Sequence, residues 1–324
     1  MDRRVQELKE AVINGEMINR DDAEYLSKAD LEEVCKAADE IRQHYMGNDF
    51  DMCAVFNMRG GRCSEDCAFC PQSCRASSEI NVYETRDPEV VVKDAKKRSD
   101  KGIRHYCMVS SGRKMGKQDL KKVCEAVRRI TEETDLTVCV SLGLLDDEDL
   151  EMLKEAGVKR IHNNLETSRT HFSEICSTHT YDEKIAVLKK AHAHGMEICS
   201  GGIIGIADTI EDRIDLAFQE RELEPESVPV NMLNPYKGTP MEGQKRVTEE
   251  EIRRTMAIFR FILPKSFLRL AAGRLMLEDT GLRCFQSGSN ATITGDMLNV
   301  KGITMEKDLQ AISGMGYELD KLAR

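Results

Sequence analysis

Tryptophan is absent from this sequence, and aromatic residues of all kinds make up only 5% of it. No apolar run approaches the roughly 20 residues that a membrane-spanning helix needs, so the sequence predicts neither a membrane span nor a membrane partner. The first residues, MDRRVQELKEAV, are charged and amphipathic, and they lack the apolar core and cleavage site of a secretion signal. We therefore expect a cytoplasmic protein.

An excess of basic residues is also missing, because 47 Lys and Arg stand against 57 Asp and Glu, which gives a net charge of −10. An acidic protein disfavours polyanions, so we expect no nucleic-acid partner. Linker-like segments rich in Pro or Ser are lacking too. The 324 residues are therefore expected to build one large domain with helical additions.

Cysteine, by contrast, is plentiful, with 12 residues in the chain. Cytoplasmic thiols stay reduced, so clustered cysteines in a chain of this length indicate metal binding or catalysis rather than disulfides. Two of them, Cys176 and Cys284, belong to no recognisable motif.

Hydrophobic periodicity predicts a helical N-terminus followed by alternating strands and helices. The strands include MCAVFNM, IRHYCMVSS, LTVCVSLG and MEICSGGIIG, and capped helices separate them. About eight such units predict an α/β fold, a closed (β/α)8 TIM-type barrel. We place this barrel, with a C-terminal helix, at residues 47–324 and an N-terminal helical extension at residues 1–46. An open doubly wound sheet is the structural alternative.

Three cysteines, Cys63, Cys67 and Cys70, follow the first predicted strand with the spacing C-x3-C-x2-C. A tetrahedral zinc site normally takes a fourth Cys or His nearby. Three thiolates suit a 4Fe-4S cluster with one iron left open, and that iron can bind a substrate or cofactor. A zinc knuckle or three incidental thiols are the alternatives, which the spacing and the position after a strand make less favourable.

Three further cysteines, Cys107, Cys139 and Cys199, lie in the middle of three different predicted strands. Alternate residues of a barrel strand point inward, so these three side chains could meet on one cluster. Buried cysteines are also common as packing residues, and spacing alone favours that interpretation.

The triad spacing, with an aromatic residue before its last cysteine, resembles the radical S-adenosylmethionine (SAM) superfamily. That resemblance implies that the open iron chelates SAM and that the reduced cluster cleaves it to a 5′-deoxyadenosyl radical. Further segments, in the same order over residues 50–315, resemble the biotin synthase family: CPQS, NLET, CSGGIIG, ESVPVNML, KGTPM, RLAAGR and CFQSGSN. The family resemblance implies sulfur insertion into dethiobiotin, with an auxiliary iron–sulfur cluster as sulfur donor. It also implies a flavodoxin- or ferredoxin-type electron donor and a homodimer.

For the auxiliary cluster, the resemblance assigns Cys107, Cys139, Cys199 and Arg269 as ligands. This sequence departs from the family at Cys53, where members commonly have a serine. A thiolate is a better iron ligand than an arginine, which must lose a proton to bind. We therefore hypothesise a four-iron cluster on four cysteines, in place of the family's 2Fe-2S form, with Arg269 as a neighbour. A buried thiol without consequence is the alternative for Cys53.

The resemblance also assigns residues to SAM and to the substrate. Those expected at SAM are Phe69, Ser110, Ser111, Asn164, Glu166 and Ile204. Asn164 and Asn231 are expected to contact the substrate, since an amide offers both a donor and an acceptor to a cyclic urea. The alternative for Asn164 and Glu166 is that they cap the next helix.

Two other functions remain open from the sequence. One is a different radical SAM enzyme of the same subgroup, such as a mutase, a lyase or a hydrogenase-maturation protein. The other is a non-catalytic iron–sulfur carrier or a zinc-binding structural protein. The cysteines on three barrel strands and Asn231 make a different radical SAM enzyme less favourable. The open three-cysteine site within a large barrel makes a carrier or a structural protein less favourable.

Overall fold

The computed structural model describes residues 2–61, 63–296 and 301–319, so the last residues of the predicted barrel segment, 320–324, lie outside it. Parallel strands form a closed barrel, which confirms the predicted TIM-type fold. The strands are β1 Asp51–Arg59, β2 His105–Ser110, β3 Thr137–Ser141, β4 Arg160–His162, β5 Glu197–Cys199, β6 Gly202–Ile204, β7 Ser227–Met232, β8 Phe267–Leu270 and β9 Ala291–Thr294. Because β5 and β6 both pair with β7, they share one position, and the barrel has eight positions. An open sheet is excluded by the same pairing.

Helices precede and surround the barrel. They are α1 Arg3–Ile13, α2 Arg20–Lys28, α3 Leu31–Met46, α4 Pro88–Ser99, α5 Lys117–Glu133, α6 Asp147–Ala156, α7 Arg169–Ile175, α8 Tyr181–Ala193, α9 Ile210–Leu223, α10 Glu249–Ile262, α11 Leu282–Phe285 and α12 Met305–Gly314. Within the described residues, none of these helices is long and apolar enough to cross a membrane. The first three helices pack on the outside of the barrel, where Arg253 of α10 binds the Glu32 carboxylate with two hydrogen bonds of 2.6 and 2.7 Å.

The segment MEICSGGIIG, predicted as one strand, is broken into β5 and β6 at Ser200 and Gly201. The neighbouring strand β7 carries Pro229 at this level, and a proline has no N–H to donate across the sheet. The chain also passes very close to it, because a Cβ on Gly201 would lie 2.0 Å from the Pro229 carbonyl oxygen. Glycine is therefore required where the strand breaks.

Glu220 of α9 is fully buried behind this break. The Ser200 hydroxyl donates to one carboxylate oxygen at 2.8 Å, and the other oxygen has no partner within the part of the chain that the structure describes. Burial raises the pKa of Glu220 to about 8. At neutral pH the folded protein therefore holds a proton on this carboxyl group.

Replacing Glu220 with glutamine is expected to stabilise the protein at pH 8 but not at pH 5. Between the usual pKa near 4.5 and the raised value near 8, the folded state binds a proton that the unfolded state has lost. The free energy of unfolding thus falls as the pH rises through this window, by roughly 3–5 kcal/mol at about 1.4 kcal/mol per pKa unit. Urea unfolding at both pH values measures the change, and the exposed Glu222→Gln is the control. An equal pH dependence in both variants contradicts the prediction.

Candidate active site

The loop after β1 carries the cysteine triad and is held closed by its own backbone. The Cys63 N–H donates to the Gln72 carbonyl at 2.6 Å, and the Cys70 N–H donates to the Cys67 carbonyl at 3.1 Å. The Gln72 side-chain oxygen accepts from the Gly61 N–H at 3.0 Å. All three cysteines line one cavity of about 210 Å³, which we call the loop cavity.

The loop cavity also contains most residues predicted to bind SAM. Besides the triad, its lining includes Phe69, Ser110, Ser111, Asn164 and Glu166. Ile204 is different, because its side chain is only 1% exposed and lines neither this cavity nor the one inside the barrel. Its neighbour Ile203 lines the barrel interior instead. The contact of Ile204 with SAM stays a prediction, and it would involve the backbone of Ile204 rather than its side chain.

The segment after β4 faces the loop cavity rather than capping a helix. The cap of α7 is Ser168, whose hydroxyl accepts from the His171 N–H at 3.1 Å, so the capping alternative for Asn164 and Glu166 is wrong. The Asn164 side-chain oxygen is buried and lacks a partner in the described part of the chain. Buried acceptors are normally satisfied, so this oxygen is suited to a ligand N–H or O–H group.

Glu166 is fixed in an unusual backbone conformation, with φ at 72°. Its N–H donates to the Gly201 carbonyl at 3.0 Å, and its own carbonyl accepts from the Ile203 N–H at 2.8 Å. A Cβ on Gly202 would lie 2.4 Å from the Glu166 carbonyl oxygen. The glycine pair of the CSGGIIG segment thus allows the close approach that positions this carboxylate.

A second cavity, of about 340 Å³, lies inside the barrel and is called here the barrel cavity. Four cysteines line it, from strands β1, β2, β3 and β5: Cys53, Cys107, Cys139 and Cys199. Cys107 and Cys139 lie directly opposite each other in the register of β2 and β3. The structure therefore brings together the three predicted barrel cysteines and the additional Cys53.

The four thiols of the barrel cavity are buried, and burial raises the pKa of each, to about 12 for Cys53. Without a metal they are therefore neutral, and a bound metal ion is what makes a buried thiol ionise. Four cysteine thiols that line one cavity form a donor set typical of iron–sulfur clusters. The residues present thus fit such a cluster.

Arg269 also lines the barrel cavity, but its guanidinium group is already engaged. It forms a buried ion pair with Asp51, donates to the Thr292 carbonyl at 2.8 Å and donates to the Ser227 hydroxyl at 3.2 Å. Although burial lowers its pKa, the Asp51 carboxylate leaves the pKa of Arg269 above its usual value. The Nδ1 atom of His105 lies 2.7 Å from Oδ1 of the same Asp51 carboxylate. A protonated guanidinium has no lone pair with which to bind iron.

Asn231 lines the barrel cavity, and its side-chain amide already forms two hydrogen bonds with backbone groups. Its NH2 group donates to the Gly202 carbonyl at 3.1 Å, and its oxygen accepts from the Ala272 N–H at 3.1 Å. One N–H and one lone pair of the amide remain for a ligand. Contact with the substrate stays a prediction.

Three residues near the triad were missed by sequence reasoning. The Cys176 sulfur lies 3.9 Å from the Cys67 sulfur, and His179 and Lys184 line the loop cavity. The Lys184 ammonium donates to the Asn163 oxygen at 3.1 Å. The sequence offered one signal, which was that Cys176 belonged to no recognisable motif. Nothing in its local pattern linked it to the triad.

Comparison with known protein families shows the class of protein to which the chain belongs. A model of the radical SAM superfamily matches residues 58–219, and a model of the Biotin and Thiamin Synthesis associated domain matches residues 229–318. The barrel and its three-cysteine loop are thus those of a radical SAM enzyme.

Full-length relatives then identify the family. The chain is 46% identical to biotin synthase of Brachyspira hyodysenteriae over 98% of this chain and 95% of that protein. It is 46% identical to biotin synthase 2 of Corynebacterium diphtheriae, over 97% and 95%. It is 43% identical to biotin synthase of Clostridium botulinum, over 96% and 98%. The chain belongs to the biotin synthase family, as the ordered sequence segments predicted.

Solved structures support the fold. Methylornithine synthase superimposes with a TM-score of 0.84 at 22% identity, covering 96% of each chain. The FeFe-hydrogenase maturase from Carboxydothermus hydrogenoformans superimposes with a TM-score of 0.80 at 15% identity, covering 97% of this chain and 78% of that chain. At these identities the likeness concerns the fold alone.

Proposed function

We propose that the protein is a biotin synthase, which inserts sulfur into dethiobiotin by radical SAM chemistry. The observation that carries this proposal is that the loop cavity and the barrel cavity share a wall. Phe69, Cys70, Asn164 and Glu166 line both. A radical generated at the triad thus arises beside the four buried thiols, and a substrate between the two cavities can reach both.

The residues that line the two cavities have proposed tasks. Cys63, Cys67 and Cys70 hold a 4Fe-4S cluster, which binds SAM and supplies the radical. Glu166 accepts hydrogen bonds from the SAM ribose. The unpartnered oxygen of Asn164 and the remaining amide capacity of Asn231 bind the cyclic urea of dethiobiotin.

For the sulfur donor, we propose an auxiliary four-iron cluster on Cys53, Cys107, Cys139 and Cys199. The engaged guanidinium of Arg269 supports this ligand set, because freeing it would break the buried ion pair with Asp51. Breaking a buried pair costs about 3–5 kcal/mol. Arg269 then contributes positive charge beside the anionic thiolates. A cluster held by these four cysteines would supply the sulfur atom that closes the biotin ring.

The remaining proposals follow from family membership. A flavodoxin- or ferredoxin-type protein delivers the electron that reduces the triad cluster. The protein works in the cytoplasm as a homodimer.

An anaerobic assay tests the proposed function. Reconstituted and reduced protein is given SAM and dethiobiotin, and both 5′-deoxyadenosine and biotin are expected. Deoxyadenosine without biotin would favour another radical SAM enzyme of this subgroup. The absence of both products, with the triad cluster present, would favour an iron–sulfur carrier.

A further inference from the structure

The side chains of Cys67, Cys176 and His179, which are residue types that bind metal ions, lie close together where the loop between α7 and α8 passes Cys67. Cys176 ends α7, and His179 lies just before α8. The Cys176 sulfur is 3.9 Å from the Cys67 sulfur, and it lies 3.3 Å from Nδ1 and 3.7 Å from Nε2 of His179. The three ligand atoms lie within 4.8 Å of one another. Bond lengths to zinc of about 2.3 Å for sulfur and 2.0 Å for nitrogen place tetrahedral ligand atoms roughly 3.5–3.8 Å apart.

The imidazole of His179 is oriented for metal binding. Its Nδ1 lies 2.7 Å from the Glu65 carboxylate, so Nδ1 carries the proton and Nε2 offers a lone pair. Glu65 is held in turn by the Thr178 hydroxyl at 2.9 Å and by Arg113 at 3.2 Å. A carboxylate that orients a histidine in this way is the usual second layer of a zinc site.

The loop that carries Cys176 is fixed to the cysteine loop before any metal arrives. The Asp66 carboxylate accepts from the backbone N–H and the hydroxyl of Ser177, at 2.8 and 2.6 Å. It also accepts from the Thr178 N–H at 3.2 Å. Cys176 is only 4% exposed, and its sulfur lies 3.3 Å from the Asp66 carboxylate as well as 3.9 Å from the Cys67 sulfur.

From this geometry we propose that the cluster-free protein binds one divalent transition-metal ion on Cys67, Cys176 and His179. Two thiolates and one imidazole favour Zn²⁺ over Fe²⁺ by the usual order of affinities. Binding displaces the two thiol protons and involves no change of oxidation state. Cys67 and His179 line the loop cavity, which would leave room for a water molecule as the fourth ligand.

This mononuclear site competes with the triad cluster, because the Cys67 sulfur belongs to both. An ion held there withholds one of the three triad thiolates, so cluster assembly requires its displacement. The site does not depend on the proposed sulfur insertion, since it involves neither dethiobiotin nor the barrel cysteines.

Metal titration of the full-length, cluster-free protein tests this proposal. The background is Cys63→Ala/Cys70→Ala, which cannot use the triad, and Co²⁺ is the probe because thiolate ligation gives it visible absorption bands. Since the barrel thiols also bind metal, the measured quantity is the difference between variants. The background is expected to bind one more tight equivalent of Co²⁺ than the same protein with Cys176→Ser or His179→Ala added.

Two further variants test whether Glu65 supports the metal site and whether an exposed thiol contributes to the titration. Glu65→Gln in the same background is expected to weaken binding of this equivalent by about 10–100-fold, as lost second-layer partners do. Cys74→Ala changes an exposed thiol and is expected to leave the titration unchanged. Circular dichroism verifies that each variant is folded. If both Cys176→Ser and His179→Ala bind as many equivalents as the background, the proposed site does not exist.

Discussion

Replacing Cys70 with alanine is expected to abolish the formation of both 5′-deoxyadenosine and biotin. Cys70 lines the loop cavity with Cys63 and Cys67, and a cluster that lacks one of three ligands is not expected to be retained there. Because the chemistry belongs to the cofactor and no side chain replaces it, we expect a loss of at least about 1000-fold, to background. Chromatography of anaerobic reactions measures both products.

Cys74→Ala is the matched control for this variant. It removes an exposed thiol four residues further along the same loop, where the Cys74 N–H donates to the Glu65 carbonyl at 3.0 Å. Alanine keeps this backbone bond, so both products are expected at the wild-type level. Product formation by Cys70→Ala with SAM cleavage intact would show that the triad is not the radical generator.

Replacing Cys53 with serine is expected to separate the two halves of the reaction. SAM cleavage should persist, because Cys53 lines only the barrel cavity. Although family members commonly have a serine here, biotin formation should fall by at least about 100-fold, because a hydroxyl is a much poorer iron ligand than a thiolate. Arg269 is held by Asp51, so it is not expected to replace the ligand that the proposed four-iron cluster loses. Iron and sulfide analysis and the ratio of deoxyadenosine to biotin provide the measurement.

Two comparisons make the Cys53 result specific. Cys124→Ser changes a buried cysteine of α5 outside both cavities, and it is expected to retain all iron and both products. Arg269→Lys keeps a positive charge but removes the guanidinium, and it is expected to retain the auxiliary iron. If Arg269→Lys loses that iron while Cys53→Ser keeps it, the arginine is the fourth ligand.

The sequence pattern was sufficient for the barrel, whereas the meeting of its cysteines on one cluster was predicted from the family resemblance, because spacing alone favoured buried packing residues. The period of two along a strand predicts which residues can point into the barrel, and the parallel register of β2 and β3 sets Cys107 and Cys139 opposite each other. The period of two is a local rule, and the register follows once the strands are placed correctly in the barrel.

The remaining features depend on contacts between distant parts of the chain. The break between β5 and β6 depends on Pro229 in another strand, and the ion pair of Arg269 joins it to Asp51, 218 residues away. The contact of Cys176 with Cys67 spans 109 residues. No local pattern encodes such contacts, since only the closed barrel and the α7–α8 loop bring these side chains together.

Isotopic labelling of the auxiliary cluster tests the central claim most directly. The protein is reconstituted with sulfide enriched in a heavy sulfur isotope, freed of dissolved sulfide, and allowed one turnover with SAM and dethiobiotin. Mass spectrometry of the product is expected to find the heavy isotope in biotin, in step with loss of sulfide from the cluster of the barrel cavity. Biotin that forms without the label would contradict the claim that the four-thiol site supplies the sulfur.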